Sequence, residues 1–468
     1  MSRDDLAWKS ALELATLIRE KQVSPVEVTE TVLARIDASA ERLNAYCLVS
    51  PDTALTAARE AEIVVMKGEP LGLLHGVPVS VKDVIFTRAL RTTGGSRLFA
   101  EMVPDQDAVA VARLRAAGAV VLGKTNTSEF GHKALTDNPL FGATRNPWNV
   151  ELTPGGSSGG AAAAVAADLG PIALGTDGGG SIRIPAAFCG IVGFKPSYGR
   201  VPQSPGFPGW EGLSHTGPIT RTVRDAALAL DVLAGADDRD RESLPSESVP
   251  YREASEDDVK GLHVAWTPDL GYASVDPRVR QLCEDAAAEF ESLRCYVEVV
   301  NPAWDDPEDA FVTLLAAQFH AAWSDRLPHA YKVMDRTLIK FLERGAAVSS
   351  REYFAARARA DAIWQDVAAF LARFDLLLTP TVAVPPFPLG SRPPRQIDGR
   401  DVSVLGWMPF TFPFNLTGQP ACSVPAGWTD DGLPVGLQIV GRRHADRVVL
   451  AAAAAFEAAR PWSDRHPA

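Results

Sequence analysis

The sequence predicts an α/β fold with a largely parallel core sheet, and three neighbouring segments carry this prediction. The apolar residues of 77–81 alternate with small ones, which is typical of a strand, and this strand runs into Lys82. Asp107 precedes a helical pattern that ends at Gly118, and the apolar run 119–122 follows as a short buried strand. Strand, helix and strand in this order are typical of layered α/β domains with parallel neighbours.

Two helices precede this unit, and both have recognisable start signals. Ser10 and Glu13 have the spacing of a capping box, and an apolar stripe follows them. Ser24 stands before Pro25, which suits the first position of a helix. Residues 1–60 are therefore predicted to be an N-terminal helical segment.

The rest of the chain divides by composition, within one large domain of residues 1–468. Residues 61–235 are predicted to form its core, 236–375 a variable and mostly helical excursion, and 376–468 the part that returns to the core. Within the excursion, residues 237–260 include nine acidic and four basic side chains. We expect this acidity to lie largely away from the functional site, so it says nothing about the charge of a substrate.

Charge and cysteine usage exclude several classes of protein. The 46 Lys and Arg residues against 58 Asp and Glu give a net charge of −12, and an acidic chain repels nucleic-acid phosphates. The five cysteines include no CxxC pair, and no two of the eight histidines have the spacing of a metal site. The first ten residues place two aspartates where a signal peptide would have positive charge and then an apolar run, and no apolar run reaches membrane-spanning length, so neither a signal peptide nor a membrane span is expected. We therefore expect a cytoplasmic protein with no metal, no cofactor, no nucleic-acid partner and no membrane partner.

The candidates for chemistry are two serines in the Gly-rich stretch 153–200, together with Lys82 at its strand end. Ser157 lies in GGSSGG (155–160), and Ser181 follows three consecutive glycines. A desolvated lysine whose pKa falls from about 10.4 towards 7–8 can act as a base for a serine nucleophile. The glycines before Ser181 allow backbone amides to converge on a carbonyl oxygen.

Two other interpretations of these residues stay open on local grounds. The glycines could form only tight turns, with Lys82 as a surface cation. Residues 155–159 also match the G-x-S-x-G nucleophile elbow, which requires a strand before it and a histidine after it. The preceding residues 151–154 are a poor strand, and only His444 or His466 could serve as the histidine.

Blocks spread in order along most of the chain resemble the amidase signature family. They are GVPVSVKD (76–83), LGKTNTSEFG (122–131), FGATRNPWN (141–149), GGSSGG (155–160), GTDGGGSIRIPAAFCGIVGFKPSYGRV (175–201), LLLTPTVAVPPFP (376–388) and the segment 415–441. Lys82 and Ser157 are 75 residues apart, and Ser157 and Ser181 are 24 apart, as in the family's pattern. The resemblance implies a large mixed, mostly parallel sheet sandwiched between helices, and hydrolysis of a carboxylic amide.

The resemblance also assigns roles to residues. The family's lysine base corresponds to Lys82, its bridging serine, on a cis peptide after Gly156, to Ser157, and its acylated nucleophile to Ser181. The family's oxyanion hole corresponds to the backbone amides of Gly178, Gly179, Gly180 and Ser181. Three further residues match the motif and are interpreted as supports for the loop: Ser158, Asp177 and Arg183. The implied relay passes a proton from Ser181 to Ser157 and from Ser157 to Lys82, while Ser181 attacks the amide.

The substrate-side prediction rests on aromatic residues. Phe130, His132 and Trp210 are candidates for substrate binding, and small aryl or apolar amides are the predicted substrates, with esters and carbamates sharing the same acyl chemistry. One alternative function is the glutaminase component of a glutamyl-tRNA amidotransferase, its A subunit, which usually has Gln where this chain has Ile184. Another is a non-catalytic binding protein on the same scaffold. A homodimer also stays open.

Overall fold

Eleven strands form one mixed sheet in the computed structural model, which describes residues 3–326 and 331–467. Their order across the sheet is β1-β3-β2-β6-β8-β7-β14-β15-β11-β9-β10. The bounds are β1 Tyr46–Val49, β2 Pro78–Lys82, β3 Val120–Thr125, β6 Ile172–Asp177, β7 Val192–Lys195, β8 His215–Thr220, β9 His263–Trp266, β10 Tyr296–Val299, β11 Leu376–Pro380, β14 Ala421–Trp428 and β15 Pro434–Gly441. Two small hairpins lie outside it, formed by β4 (Asp137–Asn138) with β5 (Gly142–Ala143) and by β12 (Gln396–Ile397) with β13 (Arg400–Asp401).

Helices flank this sheet. They are α1 Arg3–Ala7, α2 Ala11–Arg19, α3 Pro25–Leu43, α4 Pro51–Lys67, α5 Val109–Ala116, α6 Gly159–Ala166, α7 Arg183–Cys189, α8 Val223–Leu233, α9 Pro277–Ser292, α10 Glu308–Trp323, α11 Arg336–Ala346, α12 Ser350–Arg373, α13 Pro413–Leu416 and α14 Asp446–Ala459. Short 3₁₀ turns lie at Arg97–Phe99, Glu129–Gly131, Tyr251–Glu256 and Ser324–Arg326. In the part of the chain that the structure describes, no helix combines the length and the apolar character needed to cross a bilayer.

The mixed sheet is confirmed, but the predicted majority of parallel pairs is wrong. Among the described strands, six of the ten neighbouring pairs are antiparallel. One reason is the β14–β15 hairpin, because strands joined by a short turn can pair only in opposite directions. The parallel pairs include β2 with β3 and β2 with β6, which are the strands behind the candidate site.

Several local predictions at the N-terminus are confirmed. The Ser10 side chain accepts a hydrogen bond from the Glu13 amide, and the Glu13 carboxylate accepts one from the Ser10 amide, so the capping box is complete. The Ser24 hydroxyl accepts from the Val26 amide at the start of α3, where Pro25 occupies the first turn. Such caps satisfy amides that the helix itself leaves unpaired.

In the described residues of 236–375, namely 236–326 and 331–375, there are four α-helices and also two strands of the main sheet. Strands β9 and β10 extend one edge of the sheet, with β9 paired to β11 in parallel. Helix α10 packs against α11 and α12. The last residue of α10, Trp323, stacks on Phe130, so this helical group contacts the loop that follows β3.

Candidate active site

A cavity of about 530 Å³ lies at the carboxyl ends of strands β2 and β6. Because β2 and β6 are parallel neighbours, their last residues, Lys82 and Asp177, reach the same edge of the sheet. Ser157, Thr176 and Ser181 line the cavity. The structure therefore brings together the two serines and the lysine that the sequence singles out.

Lys82 is completely buried and is oriented by two hydroxyl groups. Its Nζ donates to Ser157 Oγ over 2.7 Å and to Thr176 Oγ1 over 2.8 Å. Burial lowers the pKa of Lys82 to about 7, against a smaller opposing effect of the Asp177 charge. An amine with such a pKa is substantially neutral at neutral pH, so it can accept a proton from its neighbour Ser157.

Ser157 and Ser158 lie on the turn that leads into helix α6. The peptide bond between Gly156 and Ser157 is cis, as the resemblance predicts. The Ser158 hydroxyl donates to the backbone oxygen of Thr176 (3.1 Å), and its amide donates to the Ser181 oxygen (3.2 Å). Ser158 thus ties the Ser157 turn to the loop that carries Ser181.

A buried ion pair between Asp177 and Arg183 joins the two ends of the loop that carries Ser181. Asp177 and Arg183 are both fully buried, with Arg183 Nη2 2.8 Å from Asp177 Oδ1 and Nε 2.9 Å from Oδ2. Burial by itself raises the pKa of the Asp177 carboxyl, but the Arg183 charge and hydrogen bonds hold the pKa well below its usual range. The Asp177 carboxyl therefore stays charged beside Arg183, and a paired, fully hydrogen-bonded charge is the form that a protein interior tolerates.

One of the four amides assigned to the oxyanion hole is already engaged. The Gly180 N–H donates to Asp177 Oδ1 over 2.7 Å, so it points toward the buried carboxylate. Gly178 and Ser181 line the cavity. We therefore drop Gly180 from the predicted oxyanion hole, in which Gly178, Gly179 and Ser181 stay predictions.

Sequence reasoning missed several partners of this cluster. Asn415 Nδ2 donates to Asp177 Oδ1 (2.9 Å), and Gln438 Oε1 accepts from Arg183 Nη1 (2.7 Å). Thr176, which orients Lys82, precedes Asp177 in the Gly-rich block, and Asn415 opens the segment 415–441. Their presence in the family-like blocks was the available signal, but only the fold shows which groups they contact.

Two of the three predicted substrate-binding residues line the cavity. Phe130 and Trp210 form part of an aromatic wall, and Trp210 Nε1 donates to the Phe130 backbone oxygen over 3.0 Å. The Trp210 ring lies against Gly178, where an added Cβ would come within 2.3 Å of the ring. A side chain at this glycine would therefore collide with the wall beside Ser181.

His132, the third of these residues, is not part of the cavity lining. Its Nδ1 lies 2.8 Å from the Glu129 backbone oxygen, and its Nε2 lies 2.8 Å from Thr337 Oγ1. Burial lowers the pKa of His132 to about 4, so the ring is neutral at neutral pH. The placement of His132 as a substrate ligand is wrong, because both ring nitrogens bond to the surrounding protein.

The acidic segment lies closer to the site than the sequence suggested. Asp238, Asp240 and Glu242 line the cavity together with Arg239 and Arg241. The expectation that this acidity lies away from the site is therefore wrong for its first residues. The cause is tertiary: Asp240 Oδ2 accepts from the Gln203 amide (2.9 Å), which draws the segment onto the loop beside the cavity.

Comparisons with known proteins identify the family. The family model described as Amidase matches residues 27–450. An acylamidase of Rhodococcus erythropolis is 41% identical, and the match covers 100% of this chain and 99% of that protein. The chain belongs to the amidase signature family.

Two solved structures and a further relative are similar to this chain over nearly its full length. A bacterial aryl acylamidase of the family has a TM-score of 0.92 at 37% identity, covering 97% of both chains. A 6-aminohexanoate cyclic dimer hydrolase has a TM-score of 0.90 at 32% identity, covering 98% of this chain and 99% of the other. The A subunit of the glutamyl-tRNA(Gln) amidotransferase of Geotalea daltonii is 36% identical over 97% of this chain and 98% of that one. The protein is thus an amide-hydrolysing enzyme with the amidase signature fold.

Proposed function

We propose that this amidase cleaves its substrate through an acyl-enzyme on Ser181, with Ser157 and Lys82 as the proton relay. The observation that carries the proposal is the contact of Lys82 Nζ with Ser157 Oγ at 2.7 Å in a fully buried setting. A lysine can serve as a base only when its amine is neutral, and burial supplies that condition. Ser181 lines the same cavity as Ser157.

The chemistry proceeds in two halves. In the first half, Lys82 accepts the Ser157 proton, Ser157 accepts the Ser181 proton, and Ser181 Oγ bonds to the amide carbon. The carbonyl oxygen of the substrate becomes an anion, which the amides of Gly178, Gly179 and Ser181 stabilise. The relay then returns a proton to the departing amine as the C–N bond breaks. In the second half, water attacks the acyl group by the same route and releases the carboxylic acid and free Ser181.

The ion pair beneath the loop supports this assignment without joining a chemical step. Asp177 accepts from the Gly180 amide and from Arg183, and Asn415 donates to both the side chain and the backbone oxygen of Asp177. These contacts fix the backbone from residue 177 to residue 183. We infer that Asp177, Arg183 and Ser158 are positioning residues, because rigid donors stabilise an oxyanion better than mobile ones.

Small aryl or apolar amides are the proposed substrates. The wall beside Ser181 is apolar and aromatic, with Phe130, Phe207 and Trp210. The aryl acylamidase at TM-score 0.92 and the acylamidase at 41% identity support an acyl amide as the substrate class. Esters and carbamates are further candidates, because they use the same acyl chemistry.

Mass spectrometry of the acylated protein tests the mechanism. A slowly deacylating aryl ester, quenched in acid, is expected to add its acyl group to the peptide that contains Ser181. Ser181→Ala is expected to lose this label and at least about a thousandfold in kcat/KM, as removal of a nucleophile does. Ser214→Ala is the matched control, because Ser214 lines the same cavity but lies outside the relay. An acyl group on Ser157, or near-normal turnover by Ser181→Ala, would refute the assignment.

A glutaminase function is the competing candidate. The observation in its favour is the 36% identity with the A subunit of an amidotransferase over nearly the full length of both chains. Ammonia release from glutamine, measured beside p-nitroanilide hydrolysis, separates the two functions. We expect aryl amide turnover to exceed glutamine turnover; glutamine activity that depends on a co-purifying protein would favour the competitor.

A further inference from the structure

A second polar network lies behind the cavity wall, and the proposed mechanism does not use it. Its centre is Glu129, whose side chain is completely buried. One Glu129 oxygen accepts from Ser96 Oγ (2.5 Å), and the other accepts from the backbone amide of Asp335 (2.6 Å). Glu129 therefore connects the loop after β3 to the start of helix α11.

Two further residues of the same loop reach the same helix start. Lys133 Nζ lies 2.7 Å from Asp335 Oδ2, with only 19% and 11% of the two side chains exposed. His132 Nε2 lies 2.8 Å from Thr337 Oγ1. Asp335 in turn caps α11, since its Oδ1 accepts from the Thr337 amide (2.7 Å). We call these five residues, Glu129, His132, Lys133, Asp335 and Thr337, the latch.

The latch surrounds a residue of the cavity wall. Phe130 lies between its loop members and has a left-handed backbone (φ 51°), which a residue with a side chain rarely adopts unless its surroundings impose it. Its ring stacks on Trp323 at a centroid distance of 4.1 Å and an interplanar angle of 13°. Trp323 is the last residue of α10, and α10 packs against α11. The latch thus anchors the chain on both sides of Phe130, through Glu129 and Lys133, and Trp323 packs on the Phe130 ring.

We propose that Glu129, Lys133 and Asp335 are positioning residues that hold Phe130 in the cavity wall and thereby set the enzyme's preference for aryl over small aliphatic amides. This inference rests on the proposed function, because it takes the cavity beside Ser181 as the substrate site. None of the three residues lines that cavity. They act through the position of Phe130, and Gly131 extends the effect, because it lies beside Ser157 Oγ.

Kinetics with two substrates test the proposal. Lys133→Met removes the charge that binds Asp335, so Phe130 and Trp323 lose part of their fixed alignment. For a p-nitroanilide, KM is expected to rise about tenfold, while kcat stays within about twofold of the wild-type value. For propionamide, kcat/KM is expected to stay within about twofold of the wild-type value. Asp335→Asn is expected to raise KM for the p-nitroanilide by the same factor, and the double variant is expected to raise it no further. Lys133→Arg is expected to keep KM close to the wild-type value.

The matched control uses the other partner of the same lysine. Lys133 Nζ also lies 2.7 Å from Asp137 Oδ2, a side chain that is 43% exposed. Asp137→Asn is expected to leave the KM ratio of the two substrates unchanged. The proposal would be overturned if Lys133→Met lowered kcat/KM equally for the p-nitroanilide and for propionamide, or lowered it for neither.

A binding measurement separates this inference from the proposed mechanism. In the Ser181→Ala background, the affinity for a non-hydrolysable aryl ketone is measured by quenching of tryptophan fluorescence. Lys133→Met is expected to weaken this binding about tenfold, whether or not the parent enzyme turns over anilides. Weaker binding without any anilide turnover would uphold the latch and refute the proposed substrate, whereas unchanged binding would refute the latch alone.

Discussion

The pH dependence of turnover follows directly from the burial of Lys82. Its pKa of about 7 makes about half of the amines neutral at pH 7, against about three in ten thousand for an ordinary lysine at pKa 10.5. In the proposed mechanism, burial of Lys82 therefore gives the enzyme roughly a thousandfold more of the neutral base at pH 7. Below pH 7, kcat/KM is expected to fall about tenfold per pH unit, and above pH 8 it is expected to level off.

The assay is kcat/KM on a p-nitroanilide across pH 5 to 10, with Lys82→Met as the direct perturbation. We expect this variant to lose about 10²–10⁴ in kcat/KM, the usual contribution of a general base, and to lose the ascending limb. A wild-type limb that continues to rise up to pH 10, or a Lys82→Met variant that keeps the limb at pH 7, would refute the reasoning.

Other buried groups also have a pKa near 7, and two of them, Glu129 and Lys124, serve as controls. Burial raises the pKa of Glu129 to about 7, and burial lowers the pKa of Lys124 to about 8. Lys124 is a matched lysine, equally buried on the neighbouring strand β3, where its Nζ donates to Thr87 and Thr92. Glu129→Gln and Lys124→Met are each expected to keep the midpoint of the limb near pH 7. A shifted midpoint in either variant would show that the substituted residue, and not Lys82, is responsible for the pH dependence.

Three other predictions follow from single contacts. Gly178→Ala would place a Cβ 2.3 Å from the Trp210 ring, so we expect a loss of at least about tenfold in anilide kcat/KM with an unchanged circular dichroism spectrum. Asp177→Asn leaves the buried Arg183 charge uncompensated, so chemical denaturation should show a stability loss of about 3–5 kcal/mol; a loss under about 1 kcal/mol would contradict this account of the ion pair. Ser10→Ala removes one half of the capping box, and a loss of about 1 kcal/mol in the same measurement is expected with no change in kcat.

Much of the site was predictable from the sequence because its chemistry lies in short continuous blocks. Lys82 at a strand end, and serines among glycines at 157 and 181, are local patterns, and their order along the chain resembles one family. The strand ending at Lys82 is also local, since period-two alternation needs no knowledge of distant partners. The structure brings Lys82 and Ser157 into contact at 2.7 Å, which agrees with those patterns.

The parts that the sequence left wrong depend on distant partners. His132 bonds to Thr337, 205 residues later, and Asp240 bonds to the Gln203 loop, so neither placement follows from neighbouring residues. The direction of strand pairs is decided in the same way, because it depends on which strand lies alongside and which way the chain returns to it.

The sequence by itself determined the family resemblance, the α/β class and the candidate residues Lys82, Ser157 and Ser181, because the identity and spacing of side chains define the available chemistry. Only the tertiary structure decided which of these groups are placed and protonated so that the chemistry can take place. Burial, which depends on the whole fold, lowers the pKa of Lys82, and the Gly180 amide donates to the Asp177 carboxylate and so leaves the predicted oxyanion hole. The aromatic wall of the cavity also depends on the tertiary structure, because Phe130 and Trp323 lie 193 residues apart in the chain and stack only in the folded protein.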